Sequence, residues 1–294
     1  MSQLTRAAGR AFLGGLAAGG TIAAISAVRR SKWSKDLDRV NHRGDTVSLA
    51  EGPGVTIGAT AAAVAGATSP AYAAAAAATG LATGALGLYD DMADTKGEKA
   101  KGFKGHLTAL LKGRVSAGLV KIVGISATGL ASSALVDAVS DRRPEGRWAR
   151  LWNIGVGGGV IAGAANLLNL FDLRPGRALK VASVVAAPLS RPAGPKSRST
   201  AAGGANTALA VSAAAAAAMG DDLEGKTMLG DCGANALGAL LGLSYIARTG
   251  TVGRHVALVG IAALIAASER VSFTQVIADT PVLRELDEMG RNKA

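Results

Sequence analysis

The sequence predicts an all-α fold, a polytopic transmembrane helical bundle of about nine spans. Hydrophobic residues make up 49% of the 294 residues, and the mean hydropathy is +0.29. Apolar stretches recur that are long enough to cross roughly 30 Å of hydrocarbon, and a soluble protein would not need so many of them. We therefore expect one integral, multi-pass domain over residues 1–294, located in the cell membrane.

Nine apolar windows lie between charged or Pro-containing breaks in the chain. The first window could pass for a signal peptide, but Arg29 and Arg30 follow it at once where a cleavage site would be expected, so we interpret it as a span. The sixth and ninth windows are short enough to be broken or re-entrant helices. The predicted spans are residues 7–28, 54–69, 71–89, 115–136, 151–170, 178–190, 201–219, 233–247 and 254–268.

The composition agrees with this setting. Forty glycines suit close helix packing in a bilayer. Trp33, Trp148 and Trp152 lie beside charged loops, where interfacial rings are expected. The single cysteine, Cys232, excludes an internal disulfide framework and a zinc site built from several cysteines.

Lysine and arginine set the predicted orientation. Residues 29–51 and 90–114 hold six basic residues each, which favours the cytoplasmic side. With the N-terminus outside, the acidic motifs after the third, fifth and seventh spans all face the cytoplasm, as does a C-terminal tail, residues 269–294. The loops DAVSDRRPEGRWAR and SRPAGPKSRS would then be external despite their positive charge.

Asp90 and Asp91 close the third predicted span. A pair of carboxylates is expensive beside hydrocarbon, so it suggests a site that holds a divalent cation or handles a phosphate. An ordinary solvated helix end is an equally good interpretation of this motif alone. The loop that follows supplies Lys101, Lys104 and His106 on a Gly-rich backbone, which suits a diphosphate or an anionic headgroup but is also typical of charged loops.

The fifth predicted span ends in NLLNLFD, with Asn166, Asn169 and Asp172 spaced by three. On a helix these side chains point one way near the cytoplasmic end, where they could bind a sugar or nucleotide or make polar contacts between helices. Arg174 and Arg177 follow in LRPGR. Their guanidinium groups suit phosphate oxygens, and they are equally typical of positive-inside anchors.

Asp231 lies between two glycines in MLGDCGANALG, just before the eighth predicted span. Flanking glycines allow a tight turn that leaves the carboxylate exposed at a helix start, so Asp231 is the best candidate metal ligand. An Asp at this position also caps helices without any catalytic purpose.

Taken together, four motifs in register resemble the polyprenyl-phosphate N-acetylhexosamine-1-phosphate transferases, a superfamily that includes phospho-N-acetylmuramoyl-pentapeptide transferase of peptidoglycan synthesis. They are the Asp90–Asp91 pair with the Lys101–Gly102 turn, NLLNLFD, MLGDCGANALG, and EGPGVTIG before the second span. The likeness covers about Glu51 to Gly242.

The resemblance implies Mg²⁺-dependent transfer of a sugar 1-phosphate from a UDP-sugar to polyprenyl phosphate at the cytoplasmic face, with release of UMP. Asp231 would hold the metal, and Asp90 and Asp91 would position or deprotonate the lipid phosphate. Lys101 or Lys104 would neutralise phosphoryl charge, and the NLLNLFD residues would line the nucleotide-sugar site. The implied partners are the lipid, the UDP-sugar and the membrane, with a homodimer as an assembly and no nucleic acid.

Two departures from the family pattern keep a second hypothesis open. Asp172 is followed by LRPGR where the family has a second Asp, and SERVSFTQVIADTPVLRELDEMGR has no histidine where the family has a His-rich loop. The alternative is a non-catalytic membrane protein on the same scaffold that binds a lipid carrier or envelope-synthesis partners. The transferase hypothesis requires Asp90, Asp91 and Asp231 to converge around one cleft that is open to the cytoplasm and bordered by LRPGR.

Overall fold

The described part of the chain is almost entirely helical. The computed structural model describes residues 3–40, 44–94, 116–194 and 199–291. Within these ranges the helices are α1 (Gln3–Arg30), α2 (Glu51–Ala65), α3 (Pro70–Asp94), α4 (Ala117–Ala138), α5 (Arg147–Asn169), α6 (Arg177–Leu189), α7 (Ser199–Leu223), α8 (Gly230–Arg248), α9 (Thr251–Ser268), α10 (Phe273–Asp279) and α11 (Pro281–Glu288). Each of the nine predicted windows overlaps one of α1 to α9, and the all-α class is confirmed.

Six helices in the described part of the chain are long and apolar enough to cross a membrane: α1, α3, α4, α5, α7 and α9. They support a multi-pass membrane protein, although the predicted count of nine spans is not confirmed. Helices α2 and α6 have 15 and 13 residues. At 1.5 Å per residue they reach only about 20 Å, which is less than the roughly 30 Å of hydrocarbon.

Helix α8 lies in the middle of the bundle. It packs against α2, α3, α5 and α7, and Leu237, Leu240 and Leu243 are fully buried. Nearly all of its other residues are buried as well. The first turn of α8, which carries Asp231, is therefore held centrally at one end of the bundle.

Hydrogen bonds between side chains join helices inside the bundle. The Tyr72 and Thr207 hydroxyls lie 3.0 Å apart between α3 and α7, and Thr79 Oγ1 lies 2.9 Å from Ser132 Oγ between α3 and α4. Such contacts are a usual source of helix association in a bilayer, where apolar contacts gain little over lipid.

A short hairpin closes the end of the bundle that carries Asp231. A 3₁₀ turn, Ser34–Leu37, precedes strand β1 (Asp38–Val40), which pairs antiparallel with strand β2 (Thr46–Ser48). The Ser48 N–H donates to the Lys226 carbonyl over 3.1 Å. This bond ties the hairpin to the loop that leads into α8.

Candidate functional site

The acidic motifs meet at one end of the bundle. Helices α3, α5 and α7 end there with Asp90, Asn169 and Asp222, while α4 and α8 begin there with Lys121 and Asp231. Successive helices run in opposite directions, so the ends of odd-numbered helices lie beside the starts of even-numbered ones. Contacts between these ends join motifs that are far apart in the sequence.

Asp90 and Asp231 face each other across the ammonium group of Lys121. Asp90 Oδ2 lies 2.5 Å from Lys121 Nζ, and Asp231 Oδ2 pairs with the same Nζ. The two carboxylates are also within hydrogen-bond reach of each other, and the Asn169 side chain hydrogen-bonds Asp231. The three ionic side chains remain 16–22% exposed, so a ligand in solution can reach them.

Asp91 caps the start of α8. Its Oδ1 accepts the Asp231 N–H and its Oδ2 accepts the Cys232 N–H, each over 3.0 Å. A carboxylate at a helix N-terminus satisfies unpaired N–H groups and interacts favourably with the helix dipole. The Asp91 carbonyl in turn accepts a bond from Arg39 Nη2 over 2.7 Å. Asp91 therefore fixes the turn that carries Asp231.

Two glycines allow this close approach of α3 and α8. Gly230 has a φ of +59°, and a Cβ there would lie 2.9 Å from Asp91 Oδ2. A Cβ on Gly87 would lie 2.2 Å from the Asp231 carbonyl oxygen. Only glycine fits at Gly87 without moving the α8 backbone, and Gly230 also needs the left-handed conformation that glycine adopts easily.

A second acidic group lies at the same end and consists of the buried Glu51 and Asp222 with the half-buried Asp172. Glu51 is fully buried and Asp222 is 2% exposed. Glu51 Oε2 accepts the Thr227 hydroxyl over 2.5 Å. The other Glu51 oxygen and one oxygen each of Asp172 and Asp222 find no hydrogen-bond partner among the described residues.

Burial changes the acidity of this second group. It raises the pKa of Glu51 well above its usual value, with a further rise from the nearby Asp222 carboxylate. Burial likewise raises the pKa of Asp172, again reinforced by Asp222 and only partly offset by a bond from the Gly230 N–H. An unpaired buried carboxylate is costly, so these two groups favour the protonated form.

The other predicted residues are placed differently. Asn166 and Arg174 are exposed, and neither is part of the Asp90–Lys121–Asp231 cluster. Arg177 is 4% exposed and donates to Asp287 and Thr274 of the C-terminal segment, so its guanidinium is already engaged. Lys101, Lys104 and His106 lie outside the described residues.

Three residues of this end were not predicted as site residues: Lys121, Glu51 and Asp222. A signal for Lys121 does exist in the sequence, because it is a lone charge in an apolar window, and ionisable residues in spans are functional by default. Glu51 and Asp222 resemble ordinary helix-end acids in the sequence, and their burial follows only from the tertiary packing.

The cluster suits a hydrated Mg²⁺ better than a metal held by protein ligands alone. Within the described ranges, no group of three or more His, Cys, Asp or Glu side chains is arranged to hold a metal ion. Mg²⁺ usually keeps several waters and takes one or two carboxylates together with substrate phosphates. Asp90, Asp231 and the Asn169 side chain fit that pattern, provided that Lys121 shares the carboxylates or moves aside.

Comparison of the chain with protein-family models and with curated proteins finds no match. The resemblance to the transferase superfamily rests on the sequence motifs and stays a prediction.

Proposed function

We propose that the protein transfers a sugar 1-phosphate from a UDP-sugar of the N-acetylhexosamine type to polyprenyl phosphate, at the cytoplasmic membrane face and in cell-envelope glycan synthesis. The observation that supports this most is the pairing of Asp90 and Asp231 through Lys121. Asp91 and Asp231 are 140 residues apart in the chain, yet they meet at the first turn of α8, where the Asp91 side chain accepts the Asp231 N–H. Mixed charge of this kind suits chemistry between two anions.

The reaction joins an anionic lipid phosphate to an anionic diphosphate. An oxygen of the lipid phosphate forms a bond to the phosphorus that carries the sugar, and the bond from that phosphorus to the bridging oxygen breaks, so UMP leaves. Mg²⁺, when bound, would offset the repulsion between the two anions. Positioning and electrostatics carry most of the rate in such transfers, so few protein groups need to react.

Each residue of the cluster has a proposed role. Asp231, with Asn169 beside it, would hold the metal, and Asp90 would orient the lipid phosphate. The Lys121 ammonium supplies positive charge to phosphate oxygens at the point where Asp90 and Asp231 approach each other. Asp91 acts as a positioning residue, because both of its side-chain oxygens hold the first turn of α8.

An apolar recess near the same end of α3 suits the prenyl chain of the lipid. Its lining comes from α1, the 3₁₀ turn, α2 and α3, and it includes Val28, Leu37, Pro53, Leu88 and Met92. Leu88 and Met92 lie on the side of α3 opposite to Asp90, so a lipid chain in this recess would bring its phosphate to the end of α3, around which the acidic cluster lies. Concave apolar surface beside a few polar groups is typical of ligand sites.

The test is UMP release by the purified protein with Mg²⁺, polyprenyl phosphate and a panel of UDP-N-acetylhexosamines. Asp231→Asn should lower the rate about 10²-fold or more, with an unchanged melting temperature. Asp221→Asn is the matched control, because Asp221 lies at the same end with a side chain 43% exposed and pairs with Arg29 instead. Full activity of Asp231→Asn would remove Asp231 from the metal site.

The existing contacts of several candidate residues favour the non-catalytic alternative. Lys121 already neutralises part of the charge of Asp90 and Asp231, and the bonds of Asp91 and Arg177 are directed to other parts of the chain. On this hypothesis, lipid-carrier binding survives Asp90→Asn and Asp91→Asn, and no UMP forms from any UDP-sugar. Measured turnover would end this alternative.

A further inference from the structure

The C-terminal segment, residues 269–291, folds back onto the end of the bundle that carries the acidic groups. We call it the C-terminal strap. Arg177 Nε and Nη2 donate to the two carboxylate oxygens of Asp287 over 2.7 and 2.9 Å, and Arg177 Nη1 donates to Thr274 Oγ1 over 3.0 Å. A bidentate pair of this geometry is among the stronger hydrogen-bonded contacts in proteins.

Further contacts hold the same side of the strap. Lys180 Nζ donates to the Asp287 carbonyl over 2.7 Å, and Arg291 Nη2 donates to Asp287 Oδ2 over 2.7 Å. The Phe171 and Phe273 rings stack with centroids 5.3 Å apart. Phe171 precedes Asp172, so the strap directly contacts the loop that carries this half-buried acid.

The opposite side of α11 is apolar and exposed. Val282, Leu286 and Met289 are 66%, 52% and 63% exposed. Val282 and Leu286 are four residues apart and lie on one face of the helix, and Met289 follows directly after its end, whereas Asp287 lies towards the bundle. Scattered exposed apolar side chains need no explanation, but a continuous stripe on an otherwise polar helix indicates a surface that contacts something.

The strap follows a helix with an exposed apolar surface. Helix α9 is long and apolar enough to span a membrane, and few of its residues are buried. Its side chains Val252, Val256 and Val259 are 66–78% exposed. The chain leaves α9 at Ser268 and starts α10 at Phe273, so the strap begins where a spanning helix reaches the bilayer surface.

Charge argues against attraction of the strap to anionic headgroups, so contact with the bilayer would depend on its apolar side chains. The strap contains five acidic residues and three basic ones, Glu269, Asp279, Glu285, Asp287 and Glu288 against Arg270, Arg284 and Arg291. We propose that the apolar stripe of α11 inserts into the boundary between headgroups and acyl chains, as interfacial amphipathic helices do. The strap then connects the membrane surface to the Asp172 loop.

The test places a fluorescent label on each side of α11 in the full-length protein. Cys232 is buried, so a maleimide dye should label Leu286→Cys or Glu288→Cys and leave the wild type almost unlabelled. In phosphatidylcholine nanodiscs that contain doxyl-labelled lipid, the dye at position 286 should be at least about twofold more quenched than at position 288. Its emission should also lie at shorter wavelength.

Two outcomes would overturn the proposal. Equal lipid quenching at both positions would show that the stripe does not enter the bilayer. A dye at position 286 that is shielded from lipid and from aqueous iodide, and that becomes accessible on dilution, would show that a second copy of the chain covers the stripe. The melting temperature of each labelled variant shows that the bundle is intact, and none of these results depends on the transferase proposal.

Discussion

Gly87→Ala is the most direct test of how the acidic cluster is positioned. Gly87 lies on α3, one turn before Asp91, and its Cα faces the backbone of α8. An added Cβ would lie 2.2 Å from the Asp231 carbonyl oxygen and 2.7 Å from the Cys232 nitrogen. Both neighbours are backbone atoms that cannot rotate away, so α3 and α8 must separate.

The size of the effect follows from those distances. Ordinary van der Waals contact begins at 3.4 Å, so the helices must part by roughly 1 Å, and overpacking of this kind costs about 1–3 kcal/mol. Alanine gains about 0.8–1 kcal/mol over glycine in a helix. The net loss is therefore as much as about 2 kcal/mol. A shift of about 1 Å at Asp231 would lower turnover by about 10²-fold.

Gly155→Ala separates the clash from helix propensity. Gly155 is in α5 and has nothing within 4 Å of an added Cβ, so this variant should gain the propensity term alone. Melting temperatures in detergent should then rise for Gly155→Ala and fall for Gly87→Ala, by several degrees between the two. Equal melting temperatures and equal UMP release would refute the close contact between α3 and α8.

Three further predictions concern charge. Lys121→Met leaves the Asp90 and Asp231 carboxylates facing each other and should lower the free energy of unfolding by about 1–3 kcal/mol, a range reduced because these groups are partly exposed. Added Mg²⁺ should then raise the melting temperature of Lys121→Met more than that of the wild type. Equal increases would contradict a cation site. Glu51→Gln should raise the melting temperature at pH 8 but not at pH 4. A carboxyl whose pKa is raised in the folded state destabilises the fold only as pH rises above its pKa in the unfolded chain, near 4.5. The same change in melting temperature at both pH values would contradict the protonation of Glu51 in the folded protein. Burial alone would raise the pKa of Asp287, but its arginine partners outweigh burial and lower the pKa to about 2. Limited proteolysis should therefore find the strap of the wild type protected at pH 4 and above. The strap of Asp287→Asn should be cleaved at pH 7.

Hydropathy predicted the helices because lipid and core both favour apolar windows. Where charged residues enter a helix, the predicted boundaries shift. Helix α5 begins at Arg147, four residues before the predicted window, because long basic side chains at a span end extend towards water. Helix α2 begins at the buried Glu51, three residues early, since hydropathy counts a carboxylate as loop and cannot anticipate its pairing with Thr227.

The site was predictable in part for the same reason. Asp90, Asp91 and Asp231 stand at predicted span ends, and alternation of spans places such ends together. Lys121 pairs with Asp231, which is 110 residues away in the sequence, and with Asp90 on the preceding helix. No local sequence pattern predicts either pairing. The role of Arg177 was likewise hidden, because its partner Asp287 lies 110 residues further on, in the C-terminal segment.

Solvent access divides the acidic residues into two classes with different expected effects. Asp90 and Asp231 are about one-fifth exposed, so a phosphate could reach them, whereas Glu51 and Asp222 are almost completely buried and could not touch a substrate. If the proposed transfer occurs, substitutions in the exposed pair should change turnover more than stability. Substitutions in the buried pair should change stability first, with turnover altered only through the position of the α8 turn. A loss of turnover from Glu51→Gln with unchanged melting temperature would mean that the substrate site extends inward to the buried acids.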